Sequence, residues 1–266
     1  TGYAAEKDEN TNTWTVVPKQ GMEADVSTGA DNTASATVDG NYTGSESGEG
    51  SGDGSVTAGE TIQINVATGE DGAASENITK TEVTVGAAAL ESVQKASGVQ
   101  NVEITTDVGT VTLDKNAWNS IADNAGNGSV TLTIQKAEDA DGPADWTVSA
   151  VDESGNPVFS SENERSGKIT ISVPYKGTVS DGSQVVVYYI GENGQLESMV
   201  TTYQDNTLSW TTDHLSDFGS VTIDADDQAV WVSGSDLKAG SLAEALEALD
   251  STGGTIDLIR SATLDA

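Results

Sequence analysis

The chain has 266 residues and a formal net charge of −32, set by 43 Asp and Glu against 11 Lys and Arg. Such a balance excludes nucleic acid as a natural partner, because binding a polyphosphate requires basic surface to displace its counterions. It disfavours anionic membrane surfaces for the same reason, and favours a soluble monomer or cationic partners.

There is no cysteine, which leaves the redox compartment open. No apolar run approaches the ~20 residues that cross a bilayer, so no membrane insertion is expected. The start, "TGYAAEKDEN", lacks the basic-then-apolar order of a signal peptide, and the chain reads as a piece of something longer.

In chain order, "TNTWTVVP" alternates as a short strand and stops at Pro18. Residues 1–18 are therefore expected to end an Ig-like module. Residues 19–60 read as a partly flexible acidic Gly/Ser linker or loop. Within them "TGSESGEGSGDGS", from Thr43 to Ser55, has no apolar side chain to offset the entropy of ordering. It also lacks the alternating oxygen ligands of a calcium loop.

A central domain is expected over 61–224. "TIQINVA" and "TEVTV" alternate with period 2, as half-buried strands do. In "GAAALESVQKASG", Leu90, Val93 and Ala96 share one helical face before Gly98. "NVEITTDVGTVTLD" reads strand, turn, strand. Asp114 is a plausible N-cap for "KNAWNSIADNAG", where Trp118, Ile121, Ala122 and Ala125 line one face and Gly126 closes it. This makes Trp118 a core residue. "SVTLTIQKA" adds a strand with Val130, Leu132 and Ile134 on one side.

The second half is almost wholly β in pattern. "WTVSAVDESGNPVFS" predicts a hairpin turning at Ser154–Pro157, and "KITISVPY" a strand with Ile169, Ile171 and Val173 inward. "QVVVYYI" is apolar on both faces and predicts a central strand covered on both sides. Asn193-Gly194 suits a type I′ turn. "LESMVTTY", a turn at Gln204–Asn206 and "TLSWTT" complete an expected three-strand meander. Residues 225–266 carry one helix, with Ser241 as N-cap and Leu242, Ala245, Leu246 and Leu249 on its apolar face, and then the strand "TIDLI". So short a segment cannot bury a core of its own. It must pack on the preceding domain or open a β-helix-like module.

"GKITISVPY", "VVVYYIGENGQLESMVTTY" and "LSWTTDHLSDF" resemble a recurring β-rich module of large Gram-positive surface and secreted proteins. Its pattern runs V-P-Y, then Y-Y with a D/E-N-G turn, then T-x-H-F-S-x-[FY]. The resemblance covers roughly residues 31–224, with Trp210 and Leu215 standing where the family usually has Phe. The tail "SLAEALEALDSTGGTIDLI" is similar to the opening of β-helix modules in the same proteins. The resemblance implies a multidomain parent, extracellular and either wall-associated or secreted, and transfers no catalytic residue.

The only histidine lies in "DHLSDF", between Asp213 and Ser216. A nucleophilic triad needs converging side chains, whereas neighbours on a strand point to opposite faces, so Asp213 and His214 are expected to diverge. No G-x-S-x-G elbow occurs, and one histidine supplies no His pair for zinc. His214 is therefore expected to close a strand exit while Leu215 and Phe218 plug the end of the sandwich. No catalytic residue, metal site or cofactor is assigned. With 43 acids, chance carboxylate pairs carry no signal for glycoside cleavage.

Candidate binding anchors are Tyr188, Tyr203, Trp146 and Trp231, with Tyr189 and Trp210 inside and Tyr188 partly exposed. Trp146 and Trp231 could equally serve inter-module packing. Lys115 and Lys168 flank strands and are candidates for a Lys–Asn isopeptide staple. The expected fold is mainly β (α+β), an antiparallel β-sandwich-like module with two short helices flanked by partial modules. The expected function is non-enzymatic: an adhesin segment that binds a host protein such as immunoglobulin or a glycan, or a spacer stalk. The alternative is an accessory carbohydrate-binding module of a secreted glycoside-active enzyme.

Overall fold

The computed structural model describes strand backbones at 3–8, 13–18, 24–28, 34–38 and 60–65, then residues 81–96, 99–137, 143–177, 179–191, 194–250 and 253–262. The first strands are β1 (Tyr3–Asp8), β2 (Thr13–Pro18), β3 (Ala24–Thr28), β4 (Ala34–Val38), β5 (Glu60–Asn65) and β6 (Glu82–Val85). Then come α1 (Ala87–Lys95), β7 (Val99–Thr105), β8 (Thr110–Asp114), α2 (Lys115–Ala125), β9 (Val130–Lys136), β10 (Trp146–Asp152) and β11 (Ile169–Pro174). The last group is β12 (Gln184–Ile190), β13 (Leu196–Ser198), β14 (Val200–Gln204), β15 (Thr207–Thr212), β16 (Asp217–Ile223), β17 (Ala229–Ser233), β18 (Asp236–Gly240), α3 (Leu242–Leu249) and β19 (Ile256–Leu258).

The fold is mainly β and sandwich-like, as expected. One sheet has the order β13-β12-β16-β10-β9-β6-β4-β3 and the other β14-β15-β11-β8-β7-β5. Pairing is antiparallel except for β4 with β6 and β5 with β7. β1 and β2 form a separate hairpin. Two strands, β3 and β4, thus lie in the stretch read as linker, because their short alternating runs find a sheet edge to join. The Thr43–Ser55 run lies outside the described residues.

Alternation builds the main core. Val102, Ile104, Val111, Leu113, Ile169, Ile171 and Val173 from one sheet meet Leu132, Ile134, Val148 and Val187 from the other in one buried cluster. Both helices predicted in the central domain form and add Leu90, Val93, Trp118 and Ile121 to it. The Trp118 indole N–H donates to the Leu90 carbonyl at 3.2 Å, which locks α2 onto α1. The Lys115 ammonium donates to the carbonyls of Val93 and Ala96, and burial holds its pKa below the ordinary value.

Asp114 caps α2, its carboxylate accepting from Ala117 N–H and from Lys168 N–H, each at 2.8 Å. The chain returns past this cap at Gly167, with φ of 95°. A Cβ there would collide with the Ala117 nitrogen and the Asp114 carboxylate.

Two β expectations need correction. The hairpin at Ser154–Pro157 turns, with the Asp152 carboxylate accepting from the N–H groups of Ser154 and Asn156. Its return strand shrinks to one bridge, Val151 to Pro157. Proline has no N–H with which to extend a ladder. The "LESMVTTY" strand also divides at Met199: β13 pairs with β12 in one sheet, and β14 pairs with β15 in the other. The expected meander is thus a corner between sheets. Gly194 is at φ 69°, but Asn193 lies outside the described residues.

β12 has cover on both faces, as its sequence requires. Val185 and Val187 enter the main core, while Tyr188, with Val221, Ile223 and Val230, forms a second cluster with the tail. The tail sheet, β18-β17-β19, therefore packs on the outer face of the larger sheet. The Tyr188 hydroxyl donates to the Asp257 carboxylate at 2.9 Å, and Arg260 donates to the carbonyls of Asp224 (2.8 Å) and Asp227 (2.6 Å). α3 closes over β17 with a Ser241–Glu244 capping box.

Two stability outcomes follow from this packing. In urea unfolding, Gly155→Ala should lose about 1–2 kcal/mol from its left-handed backbone alone. Gly167→Ala should lose clearly more, because it also displaces the α2 cap. Tyr188→Phe should cost about 1.5–3 kcal/mol, the range for a hydrogen bond to a charged group. It should also speed hydrogen exchange in β17 and β19 ahead of the main sheets.

Candidate functional site

Two places bring the singled-out residues together: the His214 corner and a cleft beside Tyr203. At the corner, β15 ends at Thr212, so Asp213 and His214 sit on a bend and no longer obey strand alternation. They meet instead of diverging, with Nδ1 of His214 2.9 Å from Oδ1 of Asp213. This corrects the sequence expectation. With the carboxylate ionised, Nδ1 is the protonated nitrogen and donates.

His214 is 6% exposed. The Tyr189 ring stands edge-on to it at 4.6 Å. Its Nε2 has no hydrogen-bond partner among the described residues, so no serine hydroxyl completes a triad there. Arg165 braces the bend through Nε to the Asp213 carbonyl at 2.7 Å, and its guanidinium lies 3.6 Å from the Asp213 carboxylate. The Leu215 N–H donates to the Phe159 carbonyl at 2.9 Å. Leu215 and Phe218 are buried, and Phe218 packs on Trp210 at 5.4 Å.

The candidate anchors fare differently from their expectation. Tyr188 is wholly buried at 0%, not partly exposed, because the tail sheet covers the outer face of β12. Burial first, and then the Asp257 carboxylate, push its phenol pKa well up. Trp146 is buried at 7% against Trp210, ring centroids 5.4 Å apart. Trp231 is buried at 5% beneath α3, with Ala229 and Ala245. Trp210 is inside as expected, and Tyr189 is half-buried. The two-sided apolar pattern of β12 signalled cover on both faces, but nothing local in the strand named the tail as the covering layer.

Tyr203 alone of the four anchors keeps a partly open ring. It packs edge-on against Tyr175 at 5.7 Å, and its hydroxyl donates to the Asn206 side chain at 3.1 Å. Beside it runs a cleft of about 420 Å³ lined by Val179, Gln184, Val186, Met199 and Thr201. Met199 and Thr201 were not singled out by sequence reasoning. The strand split that sets Met199 and Thr201 at the cleft wall, with Met199 itself buried, depends on which sheet each half joins. A second, more polar hollow of about 390 Å³ lies by Asp145, Ser220 and Asp236. The Asp145 carboxylate there is already engaged by Ser220 N–H and hydroxyl. No group of three or more His, Asp or Glu able to hold a metal occurs among the described residues.

Comparison with protein-family models, with curated proteins and with solved structures found no match to this chain.

The hydrogen bond from His214, and next the charge of Arg165, hold the Asp213 carboxyl below the usual carboxylate range. The folded state then binds this proton less readily than the unfolded chain does. Stability from this contact is complete above the ordinary carboxylate pKa and is lost as pH falls through the lower folded value. Asp213→Asn should therefore be less stable than the parent near neutral pH. In thermal melts from pH 7 to 2 that gap should close as the parent's carboxylate protonates.

Proposed function

We propose that this chain is a non-enzymatic extracellular segment of a bacterial cell-surface protein, acting in adhesion by binding a ligand at the cleft beside Tyr203. The single observation that carries the reading is that cleft. It is where an anchor aromatic stays accessible while Tyr188, Trp146 and Trp231 are engaged in packing. The V-P-Y, Y-Y and T-x-H-L-S-x-F segments support the extracellular setting through their resemblance to surface-protein modules. The burial of the lone imidazole supports a structural role for the corner. A host protein such as immunoglobulin, or a glycan, is the partner class that setting suggests.

A spacer is the second reading, favoured by the stiff attachment of the tail through Tyr188, Asp257 and Arg260. A carbohydrate-binding module accessory to a secreted enzyme is the remaining alternative, supported by the Tyr203 ring at the cleft wall.

The immobilised chain, challenged with a glycan array and with purified immunoglobulin, should retain a ligand saturably, and Tyr203→Ala should weaken retention about tenfold or more, as loss of an aromatic anchor does. Retention of neither, with the fold intact, would leave the spacer. Retention unchanged in Tyr203→Ala would move the site elsewhere.

A further inference from the structure

The cleft is bounded by two strand edges, and hydrogen-bond parity shows which main-chain groups they present. In an antiparallel ladder, alternate residues turn their N–H and C=O to one neighbour and the rest to the other. On β12 the Met199 N–H donates to the Val187 carbonyl at 2.8 Å, and the Gly191 N–H to the Gln195 carbonyl at 2.8 Å. The odd residues of β12 therefore face β13. Val185 is next in that row, opposite the point where the chain has already left for the other sheet. Thr201 offers only its hydroxyl, which accepts from the Val187 N–H at 2.9 Å.

The far wall has the same character. The Tyr175 N–H donates to the Asn206 carbonyl at 2.8 Å, so the even residues of β15 turn to β11 and its odd residues to β14. On β14 the even residues then pair with β15, leaving the main-chain groups of Thr201 and Tyr203 turned outward along an edge without a strand partner among the described residues. At about 3.4 Å per residue, the five residues of β14 make an edge on the order of 17 Å long.

From these observations, and resting on the binding reading above, we infer that the ligand of this cleft is an extended, basic peptide segment that adds as a strand to the β14 edge. Unpaired main-chain donors and acceptors in register are a template for another strand, which a sugar cannot satisfy in the same way. Thr201 and Tyr203, both partly open on β14, receive its alternate side chains. Its charge follows from the surroundings: exposed Asp181, Asp205 and Asp224 stand on the adjoining turns against Lys176 and Arg260, on a chain of net charge −32. The same charge opposes a second copy of this chain pairing edge to edge.

The test titrates capped Lys-Val-Thr-Val-Thr-Lys into the full chain labelled with nitrogen-15. Its controls are a twin with Glu at both ends and two versions N-methylated on alternate residues, one for each register. The lysine peptide should shift the amides of Val185, Thr201 and Tyr203 saturably, and more weakly as salt rises. The Glu twin should bind about tenfold or more weakly, and so should the N-methylated version that blocks the paired register. Equal binding by all four peptides, or no shift at these amides, overturns the inference. So does a concentration-dependent dimer without peptide that protects the β14 amides. Glycan or immunoglobulin retention without peptide shifts would sink the peptide assignment alone. Peptide shifts with no retention in the earlier screen would sink the host-ligand reading alone.

Discussion

A strand that is apolar on both faces must be covered on both, and β12 sets that condition for the rest of the molecule. Val185 and Val187 are satisfied by the sandwich interior, but Val186 and Tyr188 on the other side need a second layer. The tail supplies it with Val230, Leu237, Ala239 and Ile259. Neither surface is stable exposed, since each buried aliphatic or aromatic side chain contributes roughly 1.5–3 kcal/mol. The buried hydroxyl of Tyr188 then requires an acceptor, and Asp257 provides one from the last strand of the tail. Cover, hydrogen bond and chain order thus depend on one another.

The second organising event is the departure of the chain from one sheet to the other at Met199. Met199 keeps its N–H on Val187, as Ser198 before it pairs with Tyr188, while Val200 after it already pairs with β15. Such a crossing closes one end of the sandwich but leaves strand edges without partners on either side of it. The Thr201 hydroxyl replaces one missing ladder bond, which explains how the corner tolerates the break. The corner at Asp213–Leu215 closes by other means. There a bend replaces strand geometry, and Arg165 ties it through backbone carbonyls of Asp213, Ser161 and Asn163. The acidic surface keeps both features in a strongly negative field.

Local rules were legible where the governing contacts are local. Asp114 and Ser241 were readable as N-caps because a cap is decided within four residues. Trp118 was readable as core because its helical face repeats at i, i+3 and i+4. The inward sides of β9 and β11 followed from alternation alone. The turn expected at Gln204–Asn206 forms, with Asp205 and Asn206 at positive φ as a type I′ turn demands. The cleft was only half legible: Tyr203 was named on chemistry, but Met199 and Thr201 acquire their positions from the strand switch.

The sequence by itself determined the period of each element, the caps and turns that end it, and the strongly acidic charge, because these depend on neighbours along the chain. Only the tertiary structure decided that the tail is the layer covering Tyr188, that Trp146 stacks on Trp210, and that Asp213 turns to meet His214. Each of those outcomes depends on a partner dozens of residues away or on the residue at which a strand stops. Alternation tells which side chains share a face; it does not tell whether that face meets water or another layer of protein.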